Sequence, residues 1–194
     1  MNLNDSKICF IGAGNMASCI IGGLLKNGFP AAQVIASAPS NEKNLSTLKN
    51  TLKIETSTNN QQAVSNADII VLSVKPQVLQ SVCEEIANAL THQPLIISIA
   101  AGISIDSIHS WLGNDLPIIR CMPNTPSQVL KGASGLIENA QVSDAQKQAA
   151  SELFTAIGIV EWVKDESQIH AVTALSGSGP AYIFLVIEAM EAAA

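Results

Sequence analysis

Lys7-Ile8-Cys9-Phe10-Ile11-Gly12-Ala13-Gly14-Asn15-Met16-Ala17 is the stretch that decides the fold. Residues 7–11 are a short apolar run of strand type. Residues 15–27 set Met16, Cys19, Ile20, Gly23 and Leu24 on one face at helical spacing, and Gly28 ends that helix. Between strand and helix stands a G-x-G-x-x-A turn. Gly12 permits the tight reversal, Gly14 lets a pyrophosphate approach the backbone, and Ala17 allows close helix–strand packing. The helix start then offers free N–H groups and a partial positive charge to the phosphates. A glycine pattern alone says little, but this one follows a strand and opens a helix, as dinucleotide binding requires.

Working outward, strand and helix keep alternating. Residues 33–37 form a second strand, Ser40 caps a helix through residue 50, and residues 52–55 are a weak third strand. Residues 68–74 are apolar without alternation, as in a parallel strand covered on both faces. A helix starts near Pro76 and a strand spans 95–100. Ser104 caps a helix over 105–112, and strands follow at 117–122 and 133–137. Ser143 and Gln146 make a capping box for a helix through residue 156, and residues 158–163 are the last strand. The predicted class is α/β, a Rossmann-type doubly wound sheet with right-handed crossovers over residues 1–164. Residues 165–175 read as helix, Ser176-Gly177-Ser178-Gly179-Pro180 as a break, and 181–194 as an apolar, Ala-rich helix. That segment, 165–194, reads as the start of a second, all-helical domain that is cut short.

Composition narrows the function. The 194 residues carry 10 basic and 16 acidic side chains, and 47% are apolar, enough for a core and against disorder. A net charge of −6 with no Lys/Arg cluster argues against nucleic acid. Cys9, Cys19, Cys83 and Cys121 lack metal-site spacing, so no metal is expected and the thiols read as reduced, in a cytoplasmic protein. Residues 8–25 and 86–105 carry no formal charge, but Gly12, Gly14 and Asn15 interrupt the first and Thr91-His92-Gln93-Pro94 the second. Neither reads as a membrane span. Met16-Ala17-Ser18-Cys19 loosely resembles a lipoprotein cleavage site, but the glycines ahead of it spoil the apolar region such a site needs.

The second strand ends Ala36-Ser37-Ala38-Pro39-Ser40-Asn41, with no carboxylate to repel a 2′-phosphate. Ser37, Ser40 and Asn41 can donate hydrogen bonds and Lys43 can add charge, which favours NADP over NAD. No Arg clamps the phosphate, so NAD stays open as the alternative. Val74-Lys75-Pro76 closes the fourth strand; it reads equally as an exposed Lys followed by Pro at a first helical position. Ala100-Ala101-Gly102 is small enough to admit a nicotinamide ring.

Taken in order, the glycine turn, Val74-Lys75-Pro76, Ser98-Ile99-Ala100-Ala101-Gly102, Arg120-Cys121-Met122-Pro123-Asn124-Thr125-Pro126 and Leu175-Ser176-Gly177-Ser178-Gly179-Pro180-Ala181-Tyr182 resemble the pyrroline-5-carboxylate reductase family over essentially the whole chain. The resemblance implies hydride transfer from NADPH, with NADH as the alternative donor, to the C=N carbon of 1-pyrroline-5-carboxylate, giving L-proline. It places cofactor contacts on Ile11, Gly12, Ala13, Gly14, Asn15, Met16, Ser37, Asn60, Ser73, Val74, Lys75, Pro76, Ile99, Ala100 and Ala101. Asn60 is assigned by its place ahead of residues 64–68. The resemblance further implies a homodimer or higher oligomer built by the helical domain, which in the family continues into a Gly-Gly-Thr loop that this chain lacks.

A cyclic imine needs protonation and an aligned hydride, and part of it is protonated near neutral pH. His92, His109 and His170 lie outside the motifs, so no catalytic acid is assigned and positioning carries the rate. The substrate contacts are expected on Asn124, Thr125, Ser176, Gly177, Ser178 and Gly179. Pro180 at a first helical position would make residues 176–179 an anion seat for the carboxylate. The plainer readings are a proline-bounded turn and an interhelix break. Two other functions stay open: a different Rossmann dehydrogenase, and an NADP-binding domain without turnover. The first usually needs a Lys in its helical part, and none follows Lys164.

Overall fold

The computed structural model describes residues 1–113 and 115–194. Strands β1 (Ile8–Ile11), β2 (Val34–Ser37), β3 (Glu55–Ser57), β4 (Ile69–Leu72), β5 (Leu95–Ser98), β6 (Ile118–Met122), β7 (Gly132–Glu138) and β8 (Gly158–Trp162) form one sheet in the order β3-β2-β1-β4-β5-β6-β7-β8. From β3 to β6 every pairing is parallel. Every residue of β1, β4 and β5 is buried, because helices cover both faces.

The alternation of side chains along each strand builds two cores. Ile8, Phe10, Ile69, Val71, Leu95 and Ile97 point to one face. There they meet Ile20 and Leu24 of α1 (Asn15–Lys26), Leu45 and Leu48 of α2 (Glu42–Leu52), and Leu153 and Phe154 of the later helix Asp144–Thr155. Cys9, Ile11, Ile70, Leu72 and Ile96 point to the other. They meet Ala63 and Val64 of α3 (Asn60–Val64), Leu79, Cys83 and Ile86 of α4 (Pro76–Ile86), and Ile108 and Leu112 of α5 (Ile105–Leu112). The result is a three-layer, doubly wound sheet.

Several expectations shift. Asn41, not Ser40, caps α2, its Oδ1 accepting from the Asn44 N–H at 3.3 Å. The third strand is Glu55–Ser57 rather than 52–55, because Leu52 still belongs to α2 and Lys53 ends it in the left-handed conformation. The short α3 has no strong periodicity and was not expected as a helix. The capping box of Ser143 and Gln146 is present and opens α6 (Asp144–Thr155). β7 runs antiparallel to β6 and parallel to β8, so the alternation of strand and helix is not unbroken. Only a 3₁₀ turn, Thr125–Val129, separates β6 from β7, too little chain for a parallel crossover.

The largest difference lies at 165–194. The expected break is absent: α7 (Gln168–Val172) passes through a π-helical turn, Thr173–Gly177, into α8 (Gly179–Ala193). Together they make a continuous helix, Gln168–Ala193, long and apolar enough by length and composition to cross a membrane. The cause of the π turn is Pro180, which has no N–H and crowds the carbonyl one turn back, so the helix widens instead of stopping. No residue of α8 is buried, and its Tyr182, Ile183, Phe184, Leu185, Val186, Ile187 and Met190 are 47–67% exposed.

All four cysteines are free thiols, with Cys9, Cys83 and Cys121 buried and Cys19 partly so. Burial pushes Cys9 and Cys83 up to about 12 and Cys121 well above the ordinary 9.0. At pH 8 a thiol reagent should therefore label none of these three rapidly in the folded chain and all of them after denaturation, by mass of the adducts. Fast labelling of Cys9 in the native chain would contradict the packing. The folded chain holds these protons more tightly than the unfolded one. This contribution to stability is full below pH 9.0 and is lost as pH rises toward about 12.

Candidate active site

The sheet reverses its winding between β1 and β4, and ligands of such sheets lie outside the carboxyl ends of the strands at that point. Here the Gly12 N–H donates to the Ser37 carbonyl at 2.7 Å, and the Ser73 N–H to the Ile11 carbonyl at 2.8 Å. Ser73 Oγ donates to the carbonyls of Ile11 and Gly12 at 3.0 Å. These bonds wedge the turn between β2 and β4. Gly12 has φ +109°, and a Cβ there would stand 2.6 Å from the Ser73 carbonyl oxygen, so the position needs glycine on both counts. Asn44 Nδ2 holds the Ala13 carbonyl from α2 at 3.0 Å.

Gly14 differs. Its φ is −82° and nothing lies within 4 Å of a Cβ built on it. The space in front of it is open because the turn faces a cleft of about 480 Å³. Gly14 is also the N-cap of α1 and brings no side-chain cap, so the first N–H groups of the helix are left for a ligand. A positive, uncapped helix end beside an open cleft fits a dinucleotide pyrophosphate.

Nine of the expected cofactor residues line this cleft: Ile11, Gly12, Ala13, Gly14, Ser37, Asn60, Ser73, Val74 and Lys75. Ser40 and Asn41 line it as well, whereas Lys43 does not. Asn15 and Met16 follow the turn on α1, and Pro76 is the first residue of α4. Ile99, Ala100 and Ala101 continue β5 past its carboxyl end, beside the cleft rather than in its wall. Another hollow, of about 430 Å³, surrounds the strand starts near Lys7 and Gln33 and includes none of the motif residues.

Three residues escaped the sequence reading: Val78, Val82 and Glu85, which line the cleft from one face of α4. Their spacing of four and three after Pro76 is a helical stripe. It was legible once Pro76 opened the helix, but it carries no motif. Glu85 also meets Asn60. Ser37 Oγ donates to Asn60 Oδ1 at 2.8 Å, and Asn60 Nδ2 donates to Glu85 Oε2 at 3.0 Å. Asn60 is 3% exposed, so this chain fixes the orientation of its amide.

The expected substrate residues gather at one place. Asn124 Nδ2 donates to the Ser176 carbonyl at 3.0 Å, and its Oδ1 accepts from the Ala133 N–H at 2.8 Å. Pro180 makes the first of these bonds available: lacking an N–H, it leaves the carbonyl four residues back without its helical donor. Asn124 is thus occupied on both ends of its amide and braces the loop after β6 against the long helix. At residues 176–179, where an anion seat is expected, α8 starts at Gly179 with Pro180 in its first turn, but the π turn leads directly into it and part of the segment's hydrogen-bonding capacity is already used. The Ser178 N–H donates to the Thr173 carbonyl at 2.8 Å, and Ser176 Oγ donates to the Val172 carbonyl at 3.0 Å. Gly177 lies against Met122, whose Cε would stand 2.8 Å from a Cβ at 177.

One ion pair ties the sheet to the C-terminal segment. Arg120 on β6 is 3% exposed, and its Nη1 donates to Glu166 Oε1 at 2.8 Å. The same oxygen accepts from the Ile105 N–H at the start of α5 at 2.9 Å. No group of three or more His, Cys, Asp and Glu among the described residues could hold a metal ion.

Comparison with known proteins agrees with this arrangement. A family model described as NADP oxidoreductase coenzyme F420-dependent matches residues 7–102, and one described as pyrroline-5-carboxylate reductase dimerisation matches residues 166–194. A pyrroline-5-carboxylate reductase of Pseudomonas aeruginosa is 52% identical over 188 residues, which span 97% of this chain and 68% of that protein. The solved structure of a pyrroline-5-carboxylate reductase from Coxiella burnetii superposes with a TM-score of 0.91 at 44% identity, covering 97% of this chain and 70% of that one. A Plasmodium falciparum pyrroline carboxylate reductase, solved with NADP bound, superposes with a TM-score of 0.85 at 30% identity, covering 96% and 68%. At this identity, over two thirds of those proteins' length, the chain belongs to the pyrroline-5-carboxylate reductase family.

Proposed function

We propose that the chain reduces the C=N bond of 1-pyrroline-5-carboxylate to give L-proline. The observation that carries this reading is the Asn124–Ser176 bond. It joins the two most specific motif segments at the side of the sheet reached by the residues after β5. NADP is the cofactor, and its reduced nicotinamide supplies the hydride when bound. Gly12 and Gly14 shape the pyrophosphate seat, and Ser37, Ser40 and Asn41 serve the ribose end. Lys75 brings a positive charge to the cleft wall. Residues 99–101 leave room for the ring. Asn124 acts by holding the loop, which leaves Thr125, the Ser178 hydroxyl and the residues around Gly177 and Gly179 to meet the substrate. Catalysis then rests on alignment of two reactants, since the described site brings no histidine into the cleft.

The division at residues 164 and 165 belongs to the same proposal. It is supported by the end of β8 at Trp162 and the start of the long helix at Gln168. We assign α8 to a contact between copies of the chain, a homodimer or higher. Its exposed apolar side chains form a patch that a lone soluble chain rarely carries, and its sequence matches a dimerisation unit. The unpaired thiols support a cytoplasmic location.

Mixing the chain with NADPH and pyrroline-5-carboxylate tests the activity. Loss of reduced-nicotinamide absorbance that depends on the substrate and yields proline is the expected result. Tight NADPH binding without substrate-dependent oxidation would leave a nucleotide-binding domain and reject the reductase reading.

A further inference from the structure

Glu85 is the acidic residue in the lining of the cleft, and it takes no part in holding the turn, the phosphates or the ribose. A carboxylate is an odd neighbour for a polyanion. It is tolerable only off the glycine turn, and Glu85 stands on α4, joined to the end of β2 through Asn60 and Ser37. The glycine turn begins the cleft, Ser37 to Asn41 follow at the end of β2, and α4 supplies the remaining wall.

That wall is apolar for two turns and then acidic. Val78 is 47% exposed, an unusual state for valine on a helix whose other face is buried in the core. Val82, one turn on, is half-buried beside it. Two valines a turn apart make a flat apolar surface of the kind on which an aromatic ring lies. Glu85 stands at the rim of that surface, three residues further along the same face. Its carboxylate is not free to turn. Oε2 accepts from Asn60 Nδ2 at 3.0 Å, and Asn60 is itself oriented by the Ser37 hydroxyl at 2.8 Å. With Oε2 so held, Oε1 makes no hydrogen bond among the described residues and is available to the cleft.

We propose that Glu85 reads the base of the cofactor: the ring lies on Val78 and Val82, and Oε1 accepts a hydrogen bond from an exocyclic amino group on its edge. The proposal rests on the dinucleotide reading of this cleft. A carboxylate can only accept, so it favours a base that presents an amino group there, as adenine does, over one that presents a carbonyl, as hypoxanthine does. A carbonyl would face the carboxylate acceptor to acceptor, and one charge-assisted hydrogen bond would be lost. Ser37 and Asn60 then have a second duty as positioning residues, since they decide which oxygen of Glu85 points into the cleft.

The test measures binding rather than turnover. Purified chain is titrated with NADPH and with its hypoxanthine analogue, by nicotinamide fluorescence. The wild-type chain should bind NADPH about tenfold more tightly, the size set by one hydrogen bond to a charged but solvent-reached acceptor. Glu85→Gln should abolish or invert that preference. Gln can keep Asn60 satisfied with its carbonyl and turn its amino group toward the base, which suits the hypoxanthine carbonyl. An unchanged melting temperature in Glu85→Gln would show that the fold is intact. Equal wild-type affinity for the two nucleotides would overturn the proposal while leaving the cleft a dinucleotide site. A preference that survives Glu85→Gln unaltered would overturn it too. Failure of the wild-type chain to bind either nucleotide would reject the cofactor reading itself, and the proposal with it.

Discussion

Gly14→Asp should weaken NADPH binding at least about a hundredfold while the chain stays folded. The separation of the two effects comes from the geometry. At φ −82° any residue can occupy position 14, and a Cβ there meets nothing within 4 Å. The new carboxylate therefore costs the fold little, although it fills the space that the pyrophosphate needs. Two like charges about 4 Å apart near a protein surface repel by roughly 4 kcal/mol, which exceeds what a hundredfold loss requires. Gly12→Ala would make a poor control, because the left-handed φ and the Ser73 carbonyl at 2.6 Å would damage turn and binding together. The check is NADPH titration of Gly14→Asp beside its thermal melt. Unchanged affinity would sink the assignment of this turn to the phosphates.

Glu166→Ala should destabilise the chain by about 3–5 kcal/mol, the cost of leaving a buried charge without its partner. Arg120 is 3% exposed, and Glu166 is its ion-pair partner among the described residues. The same substitution releases the Ile105 N–H at the start of α5. Glu166→Gln should cost less, because the amide oxygen can still accept from both groups. Replacing Arg120 and Glu166 together with apolar residues of similar size should recover much of the loss, since no charge then stays buried. Denaturant unfolding measures all three variants. A loss below about 1 kcal/mol for Glu166→Ala would place the pair among weak surface pairs and remove the link it makes between sheet and C-terminal segment.

Much of the cofactor site was legible because its logic is local. The turn from residue 11 to 17 states its own geometry: glycine where φ must be positive, glycine where a ligand approaches, alanine where a helix meets a strand. The absence of a carboxylate after Ser37 is equally local. Glu85 was not legible. Its role depends on a helix face turned toward a residue 25 positions earlier, and such a meeting leaves no trace in local composition. The C-terminal segment shows the opposite error. Ser176-Gly177-Ser178-Gly179-Pro180 has the composition of a break, yet the chain passes through it as a π turn. Propensity was overruled there by contacts on either side, with Asn124 taking the Ser176 carbonyl and Met122 packing against Gly177.

Residue type and spacing alone thus determined the class of the fold and the identity of its phosphate turn. The positions of the strands other than β3 came the same way, because strand periodicity, capping boxes and glycine turns act over a few residues and are written where they act. The tertiary structure decided what depends on distant parts of the chain meeting. It set the antiparallel β7, the burial of Arg120 against Glu166, the use of Asn124 as a brace and the facing of Glu85 into the cleft. Each is a contact between residues far apart in sequence, whose energy exists only after the sheet has closed and solvent has left, so no local pattern encodes it.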